Sequence, residues 1–385
     1  MRRRSVIGFA ALAVAGAGAW WALGVREAPA DPRSVAPPPR VVLLEGAPDG
    51  AVTAVVLRAP TTGAQPRTLG SITHVEGSAR RASLARPFDP AHPVVYAVAA
   101  ERLSLHGSTY ESALWRVEEG VAPRRLAGGV TDASRPIVTE RGAVVVQRGR
   151  DGEAPAPVDR VLRERVDELT LDVIDPANGA ARTAWSGRGM IAFLAAAMRG
   201  DEVLVYHVRE GGAALFALDV STGSTRPLVT QMDALARDFS YDASRDEVAF
   251  ARASLRREGV YEVVSMPAHG PALDASRLQT RWRATNDHLM PRALSDGAIV
   301  ISLPDDRGLG VLEAFPRMPS RAAPFGDGAD EALGESPDGR WLALRHRTRD
   351  REVLGLYERA TGRAVEVDRP SLYTEFVGFA EEGAR

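Results

Sequence analysis

Two residue types are missing from this chain, and each absence excludes some chemistry. None of the 385 residues is cysteine. That removes disulfide bonds, thiolate nucleophiles, cysteine-ligated zinc and a lipid-anchored N-terminal cysteine together. Lysine is also absent, so all 48 basic side chains are arginine, set against 50 acidic ones. The arginines are scattered and interleaved with acids, whereas a nucleic-acid binder carries a clustered basic stripe, so no nucleic-acid partner is expected. The seven histidines show neither HExxH nor another paired spacing, and no GxSxG elbow occurs. Neither a metal, a cofactor nor a nucleophilic serine is therefore expected. Stability has to come from packing and strand pairing, for which an apolar fraction of 45% suffices.

What the chain has is turn chemistry between short alternating strands. Residues 333–367, LGESPDGRWLALRHRTRDREVLGLYERATGRAVEV, read as four strands separated by a Ser-Pro-Asp-Gly turn, a charged loop and an Ala-Thr-Gly turn. Trp341 and Ala343, then Leu354 and Leu356, carry the period of two that marks half-buried antiparallel strands. Copies of this meander recur. Third-to-fourth strand reversals fall at 55–69, 114–126, 169–185, 215–229, 260–273, 310–325 and 354–367. First-to-second strand hairpins fall at 84–98, 136–147, 193–208, 238–252, 291–303 and 333–345, one fewer than the reversals. Residues 375–383 read as a final strand and turn with no second strand after them, and the apolar run 41–44 has no partner of its own. Joining them builds one unit from both chain ends and seals a ring without open edges. The fold expected over residues 41–385 is all-β: a seven-bladed β-propeller of four-stranded antiparallel blades, closed by the N- and C-terminal strands, with six or eight blades as the alternatives.

The repeat SPDGRWLALR resembles those of the TolB-like propellers, which also occur in the propeller domains of the prolyl oligopeptidase family. The resemblance covers about residues 41–385, and the hairpin at 333–345 keeps SPDG intact. It implies a propeller without the hydrolase domain that carries the catalytic triad in prolyl oligopeptidases. It also implies a protein partner at the channel mouth, in the cell envelope.

Arg2, Arg3 and Arg4 precede the uncharged run 5–25, and Ala28-Pro29-Ala30 offers small residues for cleavage. Residues 1–30 therefore read as a signal peptide, or as a signal anchor in which 6–25 spans the bilayer. Arg3-Arg4-Ser5-Val6-Ile7 also fits a twin-arginine export motif. Residues 31–40, with Pro37-Pro38-Pro39, read as an extended linker. The expected location is the periplasm, free or anchored to the cytoplasmic membrane and facing the periplasm, or outside the cell.

Binding groups of a repeat scaffold sit on loops. The between-blade loops are expected to carry His74, Asp132, Arg135, Arg188, Asp233, Arg237, Arg281, Trp282, Asn286, Asp287, His288 and Asp330, and a second-to-third strand loop on the same face His106 and Tyr110. Arg281-Trp282-Arg283 with Asn286-Asp287-His288 is the densest group, and an arginine fork there suits a carboxylate. The bland alternative is a tryptophan packed between blades and an aspartate capping a turn. Residues 149–168 form an insertion in which Val158, Leu162 and Val166 recur at helical spacing.

The functional expectation is a non-catalytic binding or scaffold module. The alternative is a propeller hydrolase, lyase or quinone-cofactor dehydrogenase with its site in the channel. An enzyme would bring charged groups from different blades to one buried point. A binding module would present a broad loop surface with exposed aromatics.

Overall fold

The computed structural model explains why Val41, Val42, Leu43 and Leu44 are all apolar. All four are fully buried. Val42 and Leu44 pack with Val95, Ala97 and Val377, whereas Val41 and Leu43 pack with Trp341, Leu354 and Leu356. Successive side chains of a strand point to opposite faces, so a strand covered on both sides loses its polar positions.

The structure describes residues 37–47, 49–60, 65–103, 110–131, 134–150, 167–189, 191–209, 212–232, 236–285, 288–303, 307–312, 320–326, 328–367 and 373–380. The expected export segment 1–30 lies outside them. Among these residues there are 28 strands and no α-helix, hence no helix long and apolar enough to cross a membrane.

One sheet has the order β28–β1–β2–β3, with β1 at Val41–Gly46, β2 at Val52–Arg58, β3 at Arg67–Thr73 and β28 at Tyr373–Phe379. The meander β4 (Arg80–Leu84), β5 (Val94–Leu103), β6 (Tyr110–Glu118) and β7 (Val121–Thr131) follows. A pairing of Val130 with Arg148 bridges it to β8 (Ile137–Val138), β9 (Val144–Arg150), β10 (Asp167–Ile174) and β11 (Ala181–Gly189). Two separate four-stranded sheets come next. The first is β12 (Ile191–Ala197), β13 (Glu202–Arg209), β14 (Gly212–Asp219) and β15 (Thr225–Met232), and the second β16 (Ala236–Asp242), β17 (Glu247–Ala253), β18 (Tyr261–Pro267) and β19 (Gln279–Ala284). The last meanders are β20 (Arg292–Ala293), β21 (Ile299–Ser302), β22 (Arg307–Leu312) and β23 (Ser320–Ala322), then β24 (Gly328–Glu335), β25 (Trp341–Arg347), β26 (Glu352–Glu358) and β27 (Ala364–Glu366). A short parallel pairing of Arg307 and Gly308 with Gly328 and Ala329 joins them. The remaining ladders between strands are antiparallel. This all-β architecture of four-stranded antiparallel units is that of a β-propeller.

The chain ends do meet. Val42 pairs with Gly378 and Leu43 with Phe376, so β28 and β1 share one sheet. Two glycines permit the close approach of β28 to its neighbours. A Cβ at Gly334 would lie 2.8 Å from Phe376 Cε1, and one at Gly378 2.7 Å from Leu84 Cδ1.

Hydrophobic clusters lie between successive strand groups. Val144 and Val146 pack with Tyr96 and Leu114, while Val145 between them packs with Val203 and Leu218. Burying one such side chain stabilises the fold by about 1.5–3 kcal/mol. Polar contacts tie the first-to-second strand turns of neighbouring groups: Thr139 Oγ1 donates to Asp201 Oδ1 at 3.0 Å, and Ser295 N to Glu335 Oε2 at 2.8 Å.

The SPDG turn is held by its own side chains. Ser336 Oγ accepts from Trp341 N at 2.8 Å and donates to Asp338 Oδ1 at 2.6 Å. Gly339 sits at φ +71°, the left-handed region that glycine enters without steric cost.

Candidate functional site

A cavity of about 1080 Å³ is lined by residues of β4, β8, β12, β16, β20, β24 and β28, the first strands of the successive groups. Within an antiparallel meander the first strand begins at the edge where the second-to-third strand loop lies. Charged side chains gather at those beginnings: Arg80 and Arg81 on β4, Arg135 ahead of β8, Arg237 and Asp238 on β16, Arg292 on β20, Glu331 on β24 and Glu375 on β28.

Glu375 is the point of convergence. Glu375 is 7% exposed, and its carboxylate meets arginines from three other elements. Arg81 Nη1 lies 3.0 Å from Oε2, Arg135 Nη2 3.5 Å from Oε1, and Arg345 Nη2 3.7 Å from Oε2. Tyr373 donates its hydroxyl to Oε2 at 3.1 Å. Burial, and then the neighbouring carboxylate, push the Tyr373 phenol above its ordinary range. Arg135 also donates to Phe376 O at 3.1 Å. Burial, and after it Arg81 and Arg345, hold Arg135 below the ordinary arginine range, with Glu375 opposing them. The side chain is 38% exposed and lines the cavity.

Behind this group lies a buried relay. The Arg80 guanidinium stacks on the Tyr373 ring at 4.1 Å and reaches His74 Nε2 at 3.5 Å. His74 Nδ1 is 2.9 Å from Val75 O, so that nitrogen carries the proton, and Nε2 accepts from Thr53 Oγ1 at 2.8 Å. Burial lowers the His74 pKa, which keeps the ring neutral beside Arg80.

Across the mouth stand Asp238 and Arg292. Asp238 has φ +56°, uncommon for a residue other than glycine, where β16 bulges between Arg237 and Ser240. Burial raises its pKa, Glu331 adds to the rise, and Arg237, His288 and Arg292 oppose it. Arg237 Nε lies 3.5 Å from its carboxylate. Arg292 donates Nε–H to Ala332 O at 3.1 Å. Burial, then the like charge of Arg135, lower its pKa to about 10. A second cavity of about 330 Å³ beside the mouth is lined by His288, Asp330, Glu331 and Arg345. Asp330 is fully buried there and pairs with His346 Nδ1 at 2.9 Å.

The residues singled out in the sequence are dispersed. Arg237 and His288 reach the mouth, and His74 lies one layer behind it. Arg281 and Trp282 belong to the outer strand β19 and not to a loop between blades. Arg281 is buried, 3.3 Å from Ser265 Oγ and 3.4 Å from Glu247 Oε1. Trp282 packs with the cluster of Val263 and Ile301, between two strand groups. Arg188 is exposed on β11, where its carbonyl accepts from His207 Nε2 at 3.2 Å. Tyr110 begins β6. His106, Asn286 and Asp287 lie outside the described residues, as do 151–166 of the insertion, whose flanks are β9 and β10. Sequence reasoning missed Arg81, Arg292, Glu331, Arg345, Tyr373 and Glu375. For Arg81, Arg292, Glu331 and Glu375 the signal was a charged residue in the first half of a first strand; Arg345, near the end of the second strand β25, and Tyr373 carried no such signal.

No family model and no curated protein matches the chain. Solved structures do. A putative 6-phosphogluconolactonase from Bacteroides uniformis is similar at a TM-score of 0.52 and 14% identity, over 88% of this chain and 100% of that one. A prolyl endopeptidase is similar at a TM-score of 0.51 and 12% identity, over 88% of this chain and 50% of that one. TolB from Acinetobacter baumannii is similar at a TM-score of 0.45 and 11% identity, over 88% of this chain and 66% of that one. The likeness to the first two shows the fold alone, a β-propeller.

Proposed function

We propose that this chain is an exported, non-catalytic seven-bladed β-propeller that binds a protein partner of the cell envelope at the mouth of its axial cavity. The count of seven is supported by the hydrophobic clusters. Each joins two successive strand groups, and the one holding Val41, Leu43 and Trp341 joins the last group to the first. Export is supported by the N-terminal pattern of three arginines, an uncharged run and small residues. The envelope assignment comes from the resemblance of the repeats to TolB-like propellers.

The observation that carries the binding reading is the state of Glu375. Both its oxygens are engaged by arginines and a tyrosine hydroxyl. A carboxylate so held has its lone pairs committed to neighbouring donors. It does fix several guanidiniums around one opening, a preformed surface for acidic groups. The test places a photo-crosslinking amino acid at His288 or at Arg188 in cells. A discrete adduct from His288 alone is expected. Equal adducts from both positions, or none from either, would remove the mouth as the binding face.

A second reading, a propeller enzyme of the hydrolase, lyase or quinone-cofactor class, is favoured by Asp238. A half-buried carboxylate with a raised pKa, in a strained backbone conformation beside a histidine, has the attributes of a proton-transfer group. Asp238→Asn separates the readings. An enzyme loses turnover, whereas a binding module keeps its crosslink.

A further inference from the structure

One arginine of the mouth has no carboxylate partner among the described residues. Arg81, Arg135, Arg237, Arg292 and Arg345 face Asp238, Glu331 and Glu375. Arg81, Arg135 and Arg345 share Glu375, and Arg237 pairs with Asp238. Arg292 differs from them. Among the described residues no carboxylate lies within ion-pair distance of its guanidinium, and its hydrogen bond runs from Nε to the Ala332 carbonyl. Both terminal nitrogens are left over, in a side chain that lines the large cavity. Arg135 lines the same cavity and uses Nη2 for Glu375 Oε1 and Phe376 O. Its Nε and Nη1 are not needed for those contacts.

Arg135 and Arg292 are half-buried and line one cavity, and two like charges there are unfavourable unless an anion joins them. We propose that Arg135 and Arg292 together form a binding site for a carboxylate group, carried by the partner segment that enters the mouth. The source of the carboxylate rests on the binding reading above; the site itself does not. The chemistry favours a carboxylate over a phosphate. A planar, singly charged group matches the guanidinium fork. A phosphate brings up to two negative charges close to Asp238, Glu331 and Glu375. The Glu375 carboxylate already occupies one side of Arg135 in the way the ligand would occupy the other.

The test titrates the full chain with sodium acetate, sodium chloride and inorganic phosphate at equal ionic strength, following the thermal midpoint. Acetate should raise the midpoint of the native protein saturably, chloride should not, and phosphate should act more weakly than acetate. Arg292→Met should weaken the acetate response at least tenfold. In the absence of added anion it should melt higher than the native protein, because an unpaired, desolvated charge is gone. Arg188→Met, on the exposed outer strand, should respond as the native chain does. Should Arg292→Met fail to fold, Arg135→Gln supplies the same readout, with the acetate response weakened at least tenfold. An undiminished acetate response in the variants, or equal responses to acetate and chloride, would overturn the site. Phosphate equal to or stronger than acetate would overturn the carboxylate assignment. Loss of the partner crosslink with retention of the acetate response would sink the binding reading and leave the anion site standing.

Discussion

Arg135 and Glu375 stand 240 residues apart in the chain, and their side chains meet at 3.5 Å beside the axial cavity. The same guanidinium nitrogen reaches the Phe376 carbonyl at 3.1 Å. One contact therefore ties the strand that seals the sheets to the group of charges that makes the candidate site. The pairing of the two chain ends and the chemistry of the mouth are coupled through Glu375.

Replacing Glu375 by glutamine should expose that coupling. Arg81 and Arg135 would lose their carboxylate partner, while Arg345 would keep Glu331 and Glu352. Breaking a buried pair in this way costs about 3–5 kcal/mol. Arg81 is 35% and Arg135 38% exposed, so solvent screening reduces the expected loss to about 2–3 kcal/mol. Urea unfolding of Glu375→Gln measures it, and an unchanged midpoint would contradict the clamp.

Closure itself is tested at Gly334. A side chain there would press on the Phe376 ring, whose nearest atom is 2.8 Å from the Cβ position. Gly334→Val should destabilise the protein by about 1–3 kcal/mol, the usual cost of overpacking. Hydrogen exchange should then show faster exchange of the β1 amides paired with β28. Uniform exchange across all sheets would argue against local opening of the seal.

The pH response of Asp238 has a definite sign. Its folded pKa is raised above the ordinary 3.8, with burial as the first cause. Between 3.8 and the folded value the native state holds more protons than the unfolded one, so stability falls as pH rises through that window. Above the window the penalty is fully present. Asp238→Asn removes it, and asparagine tolerates the left-handed backbone of this position. The variant should be more stable than the native protein at neutral pH, with the difference vanishing below the unfolded pKa. Thermal midpoints across the acid range decide it.

Ser336 gives a purely structural prediction. Its hydroxyl is buried and bridges Trp341 N and the Asp338 carboxylate. Ser336→Ala leaves the buried Trp341 N–H without its hydroxyl partner and should cost about 1–3 kcal/mol. The acetate response of the mouth should be unaffected, since the turn lies at the opposite end of β24 from Glu331.

Strands and reversals were legible because their causes are local. Alternation in Trp341 and Ala343, the SPDG and ATG turns and the apolar run 41–44 are written over a few residues each. The pairing of β28 with β1 could be inferred from a strand count that left one partner missing at each end. The loop around Arg281 and Trp282 was misplaced for a related reason. The apolar face of Trp282 and the burial of Arg281 belong to an outer strand, but the turn residues at 268–274 suggested that the strand had already ended.

By itself the sequence determined the four-stranded unit and its repetition, since period-two burial and turn geometry act between near neighbours. It also confined the chemistry by omitting cysteine and lysine. Only the tertiary structure decided which charges share the cavity. A Coulomb interaction depends on distance in space and on the surrounding dielectric, and neither is set by separation along the chain. Arg135 and Arg292 line the cavity, with Arg81, Arg345 and Glu375 beside them, because separate sheets bring these strand ends to one opening.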